Sequence, residues 1–317
     1  MSKEAHKSKI GGQALIEGIM MKGVFKSAMA CRLPDGTIDI ETWDENNGKN
    51  APWYKKVPFI RGSFNFVSSL ISGYKCLMKS AEKQLTDDDE EEEMSKFEQW
   101  LTDKLGDNIM GIISALAMVI GIVLSLFLFK FIPAFLTKPI ENQTILRTAI
   151  EGILKIAIFV VYLALTGKSK DVKRTYEYHG AEHKTIACFE AHEELTVENI
   201  KKHSRFHPRC GTSFIFITLF TSIFVFCFIP SFSSYGKTTR IFMRLAIQLL
   251  LLPFIIGIAY ELIRLAGRKN NLFTRIISAP GLKIQHLTTR EPDDAQIEVA
   301  IAAIKPCIPE NLEDDNW

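Results

Sequence analysis

The chain has 317 residues, of which 47% are hydrophobic and 23% charged, and its formal net charge is only +2. So small a positive excess excludes the global basic field that gathers nucleic acid. A slightly positive mean hydropathy beside that many charges requires the apolar residues to be collected in blocks.

In chain order, the first ten residues, MSKEAHKSKI, hold no apolar core, so no cleaved secretory signal is expected. GGQALIEGIMMKG (residues 11–23) then sets four glycines around Glu17. It is not a phosphate-binding loop, because the Gly-Lys-Ser/Thr ending and the G-x-G-x-x-G spacing are both absent. Glycine at this density points either to a turn before the first strand or to close backbone approach, with Gln13 or Glu17 presented to a site. Residues 28–33 and 38–42 flank Pro34-Asp35-Gly36 and predict a β-hairpin. Phe64, Val67, Leu70, Ile71, Tyr74, Leu77 and Met78 recur at helical spacing, the pattern of an amphipathic helix lying on a membrane or on the protein. The run DDDEEEE (residues 87–93) repels itself and predicts a solvated linker.

Four apolar segments follow. Residues 109–129 carry no charge and are long enough to cross a hydrocarbon core of about 30 Å. Residues 148–165 contain Glu151 and Lys155, spaced so that they can pair on one face. Charges within a span cost ~2.5–3.5 kcal/mol each and should face protein, and the alternative for this segment is an interfacial helix. Residues 212–229 and 245–260 complete the set, the last extending to 241–263 if Arg244 and Glu261 sit at the interfaces. Lys168, Lys173, Arg174, Lys201, Arg205, Arg209, Arg264 and Arg268 belong to the richer side of the spans, against Lys130, Lys138, Arg147, Lys237, Arg240 and Arg244 on the other. The positive-inside rule then places both termini and the 167–211 loop in the cytoplasm. In the tail, Pro292 before Asp293 and Asp294 marks a helix start, with Ile297, Ala300, Ile301 and Ile304 as its apolar face.

The expected fold is mainly α and integral to the membrane, with about four transmembrane helices and a small α+β cytoplasmic portion. Its divisions are an N-terminal α+β region (1–84), an acidic linker (85–107), helices one and two (108–166), a cytoplasmic His/Cys loop (167–211), helices three and four (212–266) and a cytoplasmic tail (267–317). No internal repeat is visible. The six cysteines are scattered without a CxxC pair, which gives no disulfide framework and fits a reducing compartment.

Chemistry concentrates in the central loop. YEYHGAEHKTIACFE (residues 176–190) puts His179 and His183 one helical turn apart, able to point two imidazoles at one ion, with Glu182 beside them. H-x-x-E-H is the inverted form of the H-E-x-x-H metalloprotease pattern, in which the carboxylate serves as general base. HPRCG (residues 207–211) adds His207 and Cys210 at the short spacing of a zinc half-site. Together the four predict a divalent metal site, zinc first, either closed and structural or open and catalytic. Against this stands a plain reading in which the histidines are polar residues on a charged helical surface that also carries Asp171, Glu177, Glu190, Glu193, Glu194 and Glu198. His192 and His203 have no partner at good spacing and read as exposed. Cys188 is a further thiol, read first as a buried small hydrophobe. Glu261, in YELIRLAG, falls on the histidine side of the membrane and is either a third metal ligand or an ion-pair partner of Arg264.

Read in order, GGQALIEGIMMKG, YEYHGAEHKTIACFE, HPRCGTSF, YELIRLAG and LTTREPDDAQIEVAI resemble the YqhQ-like family of bacterial multi-pass membrane proteins, which carry a domain-of-unknown-function label. The resemblance covers nearly the whole chain and departs from it in the acidic linker. It implies a multi-pass protein of the bacterial plasma membrane and a metal-dependent enzyme, and it supplies no substrate.

Three functions compete at this stage. The first is a zinc-dependent hydrolase at the cytoplasmic membrane surface, with Glu182 as base, His179 and His183 as ligands, and His207 or Glu261 as third ligand. The second is a scaffold for other membrane proteins, its loop stapled by a structural metal that includes Cys210. The third is transport, resting on Glu151 and Lys155, and it lacks a duplicated half. The bilayer is the expected partner, with other membrane proteins beside it and no nucleic acid.

Overall fold

A computed structural model describes residues 6–45, 51–85, 109–140, 144–230, 232, 234–268 and 271–316. The acidic linker lies outside the described residues. The chain divides into two compact units, residues 1–84 with 160–317, and residues 85–159.

The larger unit is built on a four-stranded antiparallel meander, β1 (Gly11–Leu15), β2 (Gly18–Lys22), β3 (Lys26–Arg32) and β4 (Ile38–Asp44), in the order β1-β2-β3-β4. The hairpin around Pro34-Asp35-Gly36 forms as the turn chemistry predicts, with Arg32 opposite Ile38. The glycine-rich stretch is not a loop: it is a second hairpin, with Leu15 opposite Gly18. Its strands were hidden because β2 is apolar on both sides. Ile19, Met21, Ala28 and Ala30 point to one face, against Tyr178, Ala181, Ile186, Ile297, Ala300 and Ile304. Met20, Met29 and Cys31 point to the other, against Cys76. A strand buried on both faces loses the period-two alternation that marks a half-buried one.

One covering layer is α1 (Ile60–Glu82), the predicted amphipathic helix. Phe64, Val67, Leu70, Ile71 and Tyr74 are exposed along its length. The other layer joins α4 (Lys170–Glu190) to α9 (Asp294–Ile304). The start of α9 carries a reciprocal capping box between Asp293 and Gln296, close to the Pro-Asp-Asp signal. The predicted central loop is thus mostly helix, α4 followed by the short α5 (Val197–Lys201). Gly180 sits within α4 for a steric reason: a Cβ there would strike the Arg290 carbonyl. Arg290 N–H donates to the Tyr176 carbonyl at 2.8 Å, fixing that close approach.

Beneath the sheet lie α6 (Gly211–Cys227), α7 (Lys237–Arg268) and α8 (Leu272–Thr288). Ile217, Ala259 and Ile263 form their shared core. The α1 helix presses on α7, where Gly257 leaves room for the Phe59 backbone and Gly62 for Tyr260. The α8 helix was not anticipated, because Pro280-Gly281 reads as a break. Packing overrides that signal: Gly281 lies against Ser213 of α6, where a Cβ would come within 2.5 Å of its hydroxyl.

The smaller unit contains α2 (Ile109–Leu126), a π-helical turn at Phe127–Phe131, a short helix at Ile132–Leu136, and most of α3 (Thr144–Thr166). Glu151 forms its ion pair with Arg147, one turn earlier, at 2.8 Å, and accepts from the Thr137 hydroxyl at 3.0 Å. The anticipated partner, Lys155, is not within ion-pair distance, since Arg147 and Thr137 occupy the carboxylate.

Among the described residues three helices, Ala115–Leu136, Ile145–Thr166 and Thr238–Arg268, are long and apolar enough to cross a membrane, and Gly211–Cys227 is a shorter apolar helix. Leu116, Val119, Ile120, Val123 and Leu250 are among the large side chains they leave more than half exposed. Apolar surface on that scale suggests membrane association.

Candidate metal centre

The α4 helix carries His179, Glu182 and His183 on the side that faces β1 and the 204–211 segment. Packing of Tyr178, Ala181 and Ile186 against the sheet sets its rotation. His183 and Glu182 are buried, while His179 is half-buried and opens onto a cavity. The two imidazole rings lie edge to face, with centroids 4.4 Å apart.

Each ring is oriented by a backbone carbonyl. His179 Nδ1 lies 2.9 Å from the Thr288 carbonyl, and His183 Nδ1 lies 2.6 Å from the Arg205 carbonyl. A carbonyl can only accept, so both Nδ1 atoms carry a proton, and Nε2 is the nitrogen each ring has left for another partner. His179 Nε2 is 3.2 Å from Cys210 Sγ. Ligand atoms of His179, His183 and Cys210 all lie within 4.8 Å of one another.

Cys210 is buried at the N-cap of α6, where its sulfur accepts from Thr212 N–H at 3.4 Å. Burial alone would raise its pKa. The two imidazoles and their hydrogen bonds reverse this and hold the thiol well below its ordinary value. A thiolate at a helix N-terminus is further favoured by the helix dipole. Burial alone would likewise lower His179, but Cys210 and Glu182 hold it up to about 9. The pair thus biases the thiol toward thiolate and the imidazole toward its charged form. Glu182 is displaced the other way: burial raises its carboxyl against the pull of both histidines. The Gly12 amide bonds to it, while Oε2 is buried with no hydrogen-bond partner. Gly12 is required to be glycine here, since a Cβ would stand 2.9 Å from Glu182 Cδ and 2.7 Å from the Met20 carbonyl.

The remaining predicted residues lie outside this group. His207 is buried, with its ring centroid 5.6 Å from that of His183. Its Nε2 faces Glu190 at 3.6 Å and Arg209 at 3.2 Å. Glu261 receives Arg61, with Nε 2.7 Å from Oε1. Gln13 lies against Gly73, and Glu17 pairs with Arg174 and Tyr178. Cys188, Glu193 and His203 also bring their ligand atoms within 4.8 Å of one another. Burial raises the Cys188 thiol to about 11, which disfavours the thiolate a metal needs. His203 is engaged by Glu193 at 3.2 Å, and His192 is exposed as expected. Glu190 departs from the charged surface to which its neighbours belong. It is largely buried and binds Arg209 and the Ser8 amide.

Three residues that sequence reasoning missed build the frame. Gln285 clamps the His207 backbone from both sides, accepting from its N–H at 2.8 Å and donating to its carbonyl at 2.7 Å, and donates to Ser213 at 3.0 Å. Thr288 supplies the carbonyl for His179, and Arg205 supplies that for His183 while its guanidinium binds the Thr289 carbonyl. All depend on α8, whose sequence signal is broken by Pro280.

A protein-family model of unknown function, DUF1385, matches residues 57–310. The chain is 33% identical over 305 residues to "Uncharacterized protein YqhQ" of Bacillus subtilis (strain 168), covering 95% of this chain and 92% of that one. No solved structure matches. With a model spanning most of its length and a relative of this similarity, the chain belongs to the DUF1385 family.

Proposed function

We propose that the chain is an integral membrane protein that binds a divalent metal, zinc first, through His179, His183 and Cys210 on its cytoplasmic face, and that it hydrolyses a substrate near the membrane. The observation that carries this reading is the matched orientation of two imidazoles. Both Nδ1–H groups are held by backbone carbonyls, His179 Nε2 faces Cys210 Sγ, and ligand atoms of both imidazoles and the thiol gather within 4.8 Å of one another. This is the outer-shell arrangement that fixes tautomer and ring direction in histidine metal sites. Two nitrogens and a sulfur suit zinc.

Three ligands with a further position open is the pattern of catalytic zinc, whereas structural sites close with four. His207, the candidate fourth ligand, is directed to Glu190 and Arg209, which favours the open set. A bound ion supplies Lewis acidity and lowers the pKa of water. Glu182 is the proton acceptor. Its burial raises the carboxyl above its ordinary value, the direction that strengthens a base, and Oε2 has a lone pair that no protein donor occupies. The Gly12 amide positions that carboxylate.

The topology in this reading is four spans, with α6 as the shortest, and both termini in the cytoplasm of a bacterial cell. Many basic residues around α4 and at the end of α7 support that orientation. The second reading keeps the metal and makes the protein a scaffold. The orphaned Glu182 oxygen favours the enzyme, because a purely structural site has no use for a buried unpaired carboxylate.

X-ray absorption at the metal edge of detergent-purified protein tests the assignment. Mixed nitrogen and sulfur coordination with a single sulfur is expected, and a coordination shell without sulfur would overturn it.

A further inference from the structure

The cavity above Glu182 carries an observation that the metal reading does not use. It is about 560 Å³ in volume, with His179, Glu182 and Cys210 in its lining. That is within the ordinary range of small-molecule sites. Its walls come from the β1–β2 hairpin, the turn at Trp53–Lys55, α1, the end of α7, α4 and the 209–211 segment. From these walls Lys22, Lys55, Lys56, Arg61, Arg209 and Arg264 line the space, and Glu182 is the single acidic residue among the described residues of the lining. Three carboxylates stand behind that wall. Glu45 lies 3.6 Å from Lys22 and also attracts Lys55, Glu261 holds Arg61, and Glu190 holds Arg209. Among the described residues the cations of the lining still outnumber these carboxylates. Lys55 is depressed by burial first and by Lys22 second, so the crowding of positive charge is felt by the wall itself.

We propose that this cavity binds a phosphate-bearing headgroup, with the phosphate among the lysines and arginines and the remainder directed toward Glu182. Several Lys and Arg donors converging on one space match a multiply charged tetrahedral anion better than a single carboxylate. The N-terminus of α6 at Gly211, where an added Cβ would meet nothing within 4 Å, adds positive potential to the same cavity. Arg61, Asn65 and Ser69 form a polar stripe on α1 at i, i+4 and i+8 facing the cavity. The exposed apolar side chains of the same helix, Phe64, Leu70, Ile71 and Tyr74, belong at a bilayer interface. A headgroup could therefore arrive from the bilayer or from solution.

The direction toward Glu182 rests on the hydrolase reading; anion binding does not. Full-length protein in neutral detergent is titrated calorimetrically with glycerol 3-phosphate, with glycerol as the uncharged control. A second arm uses short-chain phosphatidic acid against the matching diacylglycerol. Saturable binding of either phosphate is expected, weakened about tenfold in Lys55→Gln/Lys56→Gln and in Arg264→Gln, and retained in His179→Ala. Glycerol 3-phosphate alone binding identifies a soluble source, and phosphatidic acid alone a lipid source. Absence of binding in both arms, or affinity unchanged in both lysine and arginine variants, overturns the proposal. Retention in His179→Ala beside loss of the metal keeps the anion site separate from the fate of the metal reading.

Discussion

His179 Nε2 lies 3.2 Å from Cys210 Sγ, although 31 residues separate the two in sequence. One residue comes from the middle of α4 and the other from the N-cap of α6. Their meeting depends on α8, which supplies the Thr288 carbonyl to His179 and the Gln285 clamp to the segment that leads into Cys210.

Removing that clamp should loosen the centre from a distance. Gln285→Leu leaves the buried His207 amide and carbonyl unsatisfied, at about 1–3 kcal/mol of stability. It should also weaken metal binding, because the segment that leads into Cys210 loses its anchor. Thermal unfolding and competition against a chelator measure the two effects on one preparation.

Gly11 and Gly12 provide a matched pair. An added Cβ at Gly12 meets Glu182 and the Met20 carbonyl, whereas at Gly11 it meets nothing within 4 Å. Gly12→Ala should displace the Glu182 carboxylate and destabilise the protein by about 1–3 kcal/mol, while Gly11→Ala leaves stability and metal content at wild-type values. Equal unfolding temperatures for the two variants would contradict the packing described for β1 on α4.

Glu182→Gln should retain the metal, because the three ligand atoms are elsewhere, and should remove the proton acceptor. Metal content is the first check and substrate turnover the second. Loss of the ion in this variant would make Glu182 a ligand and remove the base from the mechanism.

Acidification has a predictable direction at Glu190. Burial alone would raise this carboxyl, but the bond to His207, the charge of Arg209 and the Ser8 amide hold it below its ordinary 4.5. A depressed carboxyl stabilises the fold above the unfolded-state value and loses that contribution as pH falls through the folded value. Glu190→Gln should therefore lower stability by about 1–3 kcal/mol at neutral pH, and the gap to wild type should narrow below about pH 4. A pH series of thermal unfolding curves shows whether it does.

Much of the framework was readable from local chemistry. Pro34-Asp35-Gly36 marks its hairpin, Pro292 with two aspartates marks α9, and the long apolar runs mark the candidate spans. His179 and His183 were legible as a pair because helical spacing alone puts them on one face, whereas the half-site spacing paired Cys210 with His207 and the structure sets it beside His179 instead. What could not be read were the relations set by tertiary packing. The β1–β2 hairpin is buried on both faces and so carries no alternation. The α8 helix survives a Pro-Gly break because Ser213 packs on Gly281. The separation of His207 from the His179, His183 and Cys210 group goes with its contacts to Glu190 and Arg209, and no spacing rule tells a histidine of that group from one claimed by a carboxylate.

The central claim is that His179, His183 and Cys210 form one cation site. Metal analysis of the purified protein tests it directly, comparing wild type with His179→Ala, Cys210→Ser and His207→Ala. A single ion per chain that disappears in the first two variants and persists in His207→Ala is the predicted result. Wild-type protein purified without a stoichiometric metal after growth in zinc-supplemented medium, or metal content unaffected by His179→Ala and Cys210→Ser, would contradict it.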